Sequence, residues 1–274
     1  AFKYRGNKDK KALYFADNNK LEAIWSVIPA VVLAGLILYG LYAWTNIMFI
    51  DDEEDTVVIE LYAQQFKWTA RYAGADQVLG KANVRLIDGV NSVGVDLSDK
   101  NAQDDFLATE IHIPKGKKVH FKMRSQDVLH SAYMPHFRAQ MNCVPGMVTE
   151  FAFTPIYTTA EYRELPFMVE KVARINDLRA KKSADLVAKG GTALDPYTFD
   201  YLLLCNKICG ASHYNMQMKV VVDSPEDYKK WLSDKVALAK ECKASKETPA
   251  AEGATPSDSS KVANDSAAVK VAMK

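Results

Sequence analysis

The sequence has few cysteines and almost no net charge. Only four of its 274 residues are cysteines, and 35 lysines and arginines nearly balance 34 aspartates and glutamates, which leaves a formal charge of +1. A disulfide scaffold would use more cysteines in a chain of this length. There is no basic stripe interleaved with aromatic residues, so the sequence gives no indication of nucleic-acid binding.

Charge is also missing from one long apolar run, residues 23–50. At about 1.5 Å per residue, a helix of this length crosses a bilayer core of about 30 Å. The run is too long for a secretory signal, and no small-residue cleavage site follows it. Basic residues precede it and the acidic segment 51–55 follows it. The positive-inside rule therefore predicts a cytoplasmic segment 1–22, a transmembrane helix and an exported remainder.

The exported remainder alternates apolar and polar residues with a period of two, which predicts β-strands. Turn signals such as PKGK and VPGM separate the runs. Short strands of this kind predict a mainly β domain over 51–235, built as an antiparallel sandwich or barrel. The predicted strands are 56–62, 109–113, 119–124, 147–153, 202–204 and 216–222.

Two charged segments predict helices. Residues 156–200 predict a helical insertion, which we expect to pack on its own domain; the alternative is a surface on which a partner docks. Ser224 is the predicted N-cap of a later helix that runs to about Lys240. Residues 236–274 are expected to hold the end of that helix and a disordered tail that includes Cys242.

Four potential metal ligands occur in the segment CNKICGASHYNM, at Cys205, Cys209, His213 and Met216. A structural zinc site favours cysteine or histidine at all four positions, and methionine is a poor zinc ligand. A disulfide between the two cysteines would leave the histidine and the methionine unexplained. Thiolate, imidazole and thioether together suit copper, and two thiolates could bridge two copper ions.

Such a dinuclear site needs a second histidine from elsewhere in the chain. His130, in the segment SQDVLH, follows the predicted strand 119–124, and the end of a strand is a good place for a positioned ligand. His120 and His136 are the competing candidates.

Residues 12–232 resemble subunit II of haem–copper cytochrome c oxidases. The resemblance rests on NNKLEAIWSVIP at 18–29, DVLHS at 127–131, the VPGM turn and the C-x3-C-x3-H-x2-M loop. It implies a cupredoxin-like fold with a dinuclear copper centre, CuA. By position, two cysteines bridge the coppers, each histidine binds one copper, and a thioether and a backbone carbonyl complete the set: Cys205, Cys209, His130, His213, Met216 and the carbonyl of Lys207. The family's first transmembrane helix would end where this chain begins.

The resemblance also implies a function. This chain would accept electrons from cytochrome c, or from a cytochrome c domain of a larger respiratory assembly, and pass them to the haem of subunit I. Oxygen is reduced in subunit I, so no catalytic residue is expected here. The location implied is a bacterial inner membrane, with the copper domain on the periplasmic side. Glu22 matches a glutamate near a proton entrance; its alternative role is that of an acid favoured at a helix start.

The sequence departs from the family pattern near the copper ligands. Phe66 stands where the tryptophan that receives electrons is expected, followed by Lys67, while Trp68 is retained. Asn142 and Lys207 replace two acids. Because magnesium prefers oxygen ligands, the magnesium site shared with subunit I is expected to be absent or altered.

Two rival functions remain at this point. A copper domain like that of nitrous oxide reductase would carry a similar cluster but would lack the membrane helix. A purely structural oxidase subunit would lack the copper ligands, all of which are present here.

Overall fold

A computed structural model describes residues 6, 14, 16–48, 56–74 and 76–247 of the protein. Helix α1, Asn19–Met48, begins after Asn18, whose side-chain oxygen accepts a hydrogen bond from the Leu21 amide at 3.1 Å. In this part of the chain, α1 is the one helix long and apolar enough to cross a membrane. Its apolar side chains are exposed all round, as expected of a helix that faces lipid. The acidic segment 51–55 lies outside the described residues.

Ten strands in the described residues form two five-stranded sheets. The first sheet has the order β3-β2-β1-β5-β8, and the second has the order β4-β10-β9-β6-β7. The prediction of a mainly β, cupredoxin-like sandwich is confirmed, although β1 and β5, like β4 and β10, run parallel, so each sheet is mixed. The strands are β1 Val57–Gln64, β2 Lys67–Tyr72, β3 Phe106–Ala108, β4 Ile111–Pro114, β5 Val119–Ser125, β6 His130–Met134, β7 Ala139–Cys143, β8 Thr149–Phe153, β9 Tyr201–Cys205 and β10 Gln217–Asp223.

The main core lies between the sheets. In β5 the alternating residues Val119, Phe121 and Met123 are all buried, as their period of two predicts. From the second sheet, Leu203 and Val220 pack into the same cluster. This core fixes both sheets, and therefore the loops that connect their strands at each end.

The predicted helical insertion consists of α2, Thr159–Glu164, and α3, Pro166–Ala188. A capping box starts α2: the Glu161 amide donates to the Thr158 hydroxyl at 3.1 Å, and the Thr158 amide donates to the Glu161 carboxylate at 2.8 Å. In α3 only Met168 is fully buried, and Leu178 is 60% exposed. The insertion is therefore anchored near its start and presents most of α3 to its surroundings.

The C-terminal helix differs from the expectation. The predicted N-cap holds, because the Ser224 hydroxyl accepts from the Asp227 amide at 3.1 Å, but the helix stops early and a second helix follows. These are α4, Pro225–Ser233, and α5, Leu238–Glu247. Cys242 lies in α5 and is buried with Leu238 against residues 93–102, instead of belonging to a tail. Residues 248–274 lie outside the described residues.

Candidate metal centre

The sheet topology brings the predicted copper ligands to one end of the sandwich. β6 begins at His130 and β9 ends at Cys205, and these antiparallel neighbours pair Ala132 with Cys205. The start of one strand therefore lies beside the end of the other. Cys205 Sγ is 3.7 Å from His130 Nδ1 and 3.9 Å from Cys209 Sγ.

The other predicted ligands complete the cluster. Cys209 Sγ lies 3.6 Å from His213 Nδ1 and 3.8 Å from Met216 Sδ. The Cys205 thiol donates to the carbonyl of Lys207 at 3.3 Å. All six predicted donor groups thus lie close together. The sulfurs of Cys205 and Cys209 are farther apart than a disulfide bond, whose length is about 2.05 Å, and both cysteines are free thiols.

The two competing histidines lie elsewhere. His120 Nε2 is 3.5 Å from the carboxylate of Glu150, and the ring of His136 packs edge-on against Phe199 at a centroid distance of 4.8 Å. The structure therefore brings His130, and neither competitor, to the two cysteines.

Backbone hydrogen bonds close the ligand loop. The Cys205 amide donates to the carbonyl of Met216 at 3.0 Å, which joins the two ends of the loop. The Asn206 amide donates to the carbonyl of Ser131 at 3.0 Å, which ties the loop to β6. A 3₁₀ turn, His213–Asn215, then leads into Met216 and β10. The ligands are therefore held by backbone that is itself fixed to the second sheet.

Four of the six donor residues are buried, one is half-buried and one is exposed, and the same loop also exposes two apolar side chains. His130 is fully buried and both cysteines and Met216 are buried, whereas Ile208 and Tyr214 in the same loop are 89% and 88% exposed. Burial, with Cys205 beside it, raises the pKa of the Cys209 thiol to about 11. The Cys209 thiol is therefore protonated at pH 7 in the metal-free chain, and a cation bound there would release its proton.

Asp127 is a site residue that sequence reasoning missed. His130 turns Nδ1 to the sulfurs, and its other nitrogen, Nε2, lies 2.9 Å from Asp127 Oδ1. Asp127 also accepts from the Gln65 and Val128 amides, both at 2.7 Å. Burial raises the pKa of Asp127, but the hydrogen bonds from Gln65 and His130 outweigh burial and lower it overall. The signal was available in DVLHS, because a carboxylate often orients a ligating histidine.

The predicted electron-entrance residues lie in β2 and in the turn before it, and both reach the ligand loop. Trp68 is buried, its ring centroid is 6.2 Å from that of His130, and its Nε1 lies 3.5 Å from the carbonyl of Met216. Phe66 is half-buried beside Gly210, where an added Cβ would lie 2.8 Å from the Phe66 ring. Phe66 thus lies between the surface and the loop. Its role in electron transfer stays a prediction.

Glu22, the predicted proton-entrance residue, lies on α1 and does not belong to the ligand loops. It occupies the first turn of α1 and is exposed, and its amide donates to the carbonyl of Asn18 at 2.9 Å. Both predicted roles, proton entrance and helix-start acid, fit this place.

The donor set fits copper. Two thiols, two imidazoles, a thioether and a carbonyl form a soft to borderline set, the kind that copper prefers. Among the described residues, ligand atoms of His130, Cys205 and Cys209 all lie within 4.8 Å of one another. That spacing leaves room for a metal bonded to several of them.

No protein-family model matches this chain. An alternative cytochrome c oxidase subunit 2 from Bradyrhizobium diazoefficiens is 33% identical over 240 residues, which cover 87% of this chain and 72% of that protein. This chain belongs to the cytochrome c oxidase subunit 2 family. The family recognised from the motifs is confirmed, and with it the class of oxidoreductase subunits.

Weaker similarities extend to further proteins. A cytochrome c oxidase subunit 2 from Thermostichus vulcanus is 22% identical over 262 residues, covering 87% of this chain and 67% of that protein. Among solved structures, the periplasmic domain of subunit II of a Bradyrhizobium japonicum cytochrome oxidase is 17% identical and covers 68% of this chain and 94% of that chain, with a TM-score of 0.38.

Proposed function

We propose that this subunit carries electrons from a cytochrome c to the haem of subunit I through a dinuclear CuA centre. Oxygen is then reduced to water in subunit I. The observation that carries the proposal is the convergence of six donor groups at one buried end of the sandwich. In this assignment Cys205 and Cys209 would together hold two copper ions. The ligands completing the set are His130, His213, Met216 and the carbonyl of Lys207.

The chain's own residues would make electron transfer fast by keeping the ligands still. When bound, the copper pair supplies a one-electron acceptor whose charge is shared between two ions. Asp127 fixes the ring of His130, and the backbone bond from Cys205 to Met216 fixes the ends of the loop. Ligands held in this way move little when the oxidation state changes. Burial of four of the six donor residues limits the access of water to the site.

The proposed arrangement in the membrane follows from α1. We assign residues 1–22 to the cytoplasm, 23–50 to the bilayer and 51–235 to the periplasmic side of a bacterial inner membrane. Contacts between α1 and β8 support a copper domain seated at one end of the membrane helix. Subunit I and other oxidase subunits are the proposed partners within the membrane.

The electron donor is proposed to dock by apolar contact. Ile208 and Tyr214 form an exposed apolar surface on the ligand loop, and Phe66 lies beside it. A surface that binds basic electron donors is expected to be acidic. Here the exposed residue beside Phe66 is Lys67, which is basic. A dedicated cytochrome c, or a cytochrome c domain of the same assembly, fits this surface better than a free basic cytochrome.

The experiment that tests the copper assignment uses the full chain with copper added. The expected result is two coppers per chain and a mixed-valence electron paramagnetic resonance spectrum, lost in Cys205→Ser because one bridge is gone. Cys242→Ala is the matched control, because this cysteine is equally buried but lies in α5. A Cys205→Ser variant that keeps the full mixed-valence signal would contradict the assignment.

A further inference from the structure

The turn between β1 and β2 folds over the metal-ligand loops. Gln65 lies at its tip and makes two hydrogen bonds in different directions. Its backbone amide donates to Asp127 Oδ2 at 2.7 Å, and its side-chain amide donates to the carbonyl of Cys209. One residue of the first sheet is thus bonded to both ligand loops of the second sheet.

These contacts require a close approach at Gly210. An added Cβ there would lie 2.9 Å from Gln65 Nε2, closer than real Cβ contacts allow, and Gly210 has φ +145°, which other residues rarely adopt. Glycine at this place lets the side chain of Gln65 reach the backbone immediately after Cys209. The fit between the turn and the ligand loop is therefore specific.

Each bond of Gln65 leads to a different copper ligand. Asp127 accepts from Gln65 and also holds His130 Nε2 at 2.9 Å, while Cys209 itself carries the second acceptor. Cys209 and His130 come from separate loops, so a tie between them limits how far they can move apart.

We propose that Gln65 is a positioning residue that holds Cys209 and His130 at the separation the copper centre needs. The inference rests on the proposed copper function. Because its amide N–H points at the Cys209 carbonyl, Gln65 also places the positive end of a dipole beside a ligand. A positive dipole end favours the reduced centre, which carries one more electron.

Two substitutions separate the effects of shape and of hydrogen bonding. Gln65→Met keeps the length of the side chain and removes the donor. Gln65→Glu keeps the shape and turns an anionic acceptor toward the carbonyl of Cys209. Gln64→Met is the matched control, because the side-chain oxygen of Gln64 has no hydrogen-bond partner among the described residues.

The first measurement is the one-electron reduction potential of the copper-loaded full chain. Losing one neutral hydrogen bond changes an equilibrium by at most about fivefold, the limit in which the bond is made in only one of the two states. The Gln65 bond exists in both oxidation states, so at 59 mV per tenfold Gln65→Met should lower the potential by up to roughly 40 mV. Gln65→Glu should lower it further, and Gln64→Met should leave it unchanged. A purely structural role would not produce this order.

The second measurement needs no copper. In the metal-free full chain, the buried thiols of Cys205 and Cys209 should react with an alkylating reagent about fivefold faster in Gln65→Met than in the unsubstituted chain. Unchanged potentials together with unchanged thiol rates, or equal shifts in Gln64→Met, would overturn the inference. If the unsubstituted chain bound no copper, the proposed function would fail, and the thiol rates would still decide whether Gln65 holds the loops.

Discussion

The buried guanidinium of Arg71 offers a direct test of how the β-sandwich domain is held together. Arg71 lies in β2 with 1% of its surface exposed. It contacts Glu60 at 3.0 Å through Nη1, Asp105 at 3.1 Å through Nε, and the carbonyl of Gly80 at 2.6 Å through Nη2. The ion pairs join the first sheet to the long segment between β2 and β3. Arg71→Met removes the charge and keeps much of the volume.

The expected cost follows from what the substitution leaves behind. Glu60 keeps Arg124 as a partner, but Asp105 is completely buried and loses its cation. Removing one partner of a buried ion pair costs about 3–5 kcal/mol, because the remaining charge cannot be solvated. We expect the free energy of unfolding to fall by that amount at pH 7.

The loss should depend on pH in a defined direction. Burial raises the pKa of Asp105 even with Arg71 beside it, and removal of Arg71 raises it further. A carboxyl whose pKa is higher in the folded state than in the unfolded state binds more protons when the chain is folded. The free energy of unfolding therefore falls as the pH rises from the unfolded pKa of about 3.9 through the folded pKa. The deficit of Arg71→Met should therefore be small below pH 4 and grow above it.

Urea unfolding of the full chain, followed by tryptophan fluorescence at several pH values, measures this effect. Arg174→Met is the control, because Arg174 is exposed on α3 and should change stability by less than about 0.5 kcal/mol. A loss below about 1 kcal/mol at pH 7, or one that does not vary with pH, would refute the reasoning.

Three further predictions concern the site and the membrane helix. Asp127→Ala should lower copper affinity about 10–100-fold in chelator competition, because the His130 ring loses the carboxylate that holds its Nε2. Unchanged affinity would show that the ring needs no such partner. Glu22→Gln should slow haem reduction without altering the copper spectrum, whereas unchanged kinetics would assign Glu22 to the helix start. The oxidase from cells grown in manganese should show no ordered manganese signal beside Lys207. The lysine ammonium cannot replace a carboxylate as a metal ligand, and it is expected to occupy the place of the metal cation. An octahedral ion beside Lys207 would contradict this prediction.

The strongly patterned parts of the fold could be predicted from the sequence. The charge-free run marks α1, and the period of two marks β5 and β10. β2 was missed because Arg71 occupies a buried position and breaks the alternation. β6 and β7 were missed because short runs containing His130, Ser131 and Asn142 form strands only through pairing with neighbours distant in sequence.

The proposed ligands were predictable because their residue types are scarce, but the residues that support them were not. Only four cysteines occur, so a cluster of two with histidine and methionine is conspicuous. Gln65 and Asp127 are common polar residues, 62 positions apart, and nothing local indicates that they bond. The segment before β3 is likewise held by side chains such as Asn91, which donates to the carbonyl of Val95 at 2.8 Å.

The spacing of the four residues along the chain shows why a loop, and not a helix, has to carry them. Intervals of four, four and three residues would also place Cys205, Cys209, His213 and Met216 along one face of a helix. At about 1.5 Å per residue, that helix would separate the first and last ligands by roughly 16 Å, too far to share one centre. The loop instead returns Met216 to Cys205, whose amide donates to the Met216 carbonyl at 3.0 Å. Closure of the loop, more than the spacing itself, is what allows the four side chains to meet.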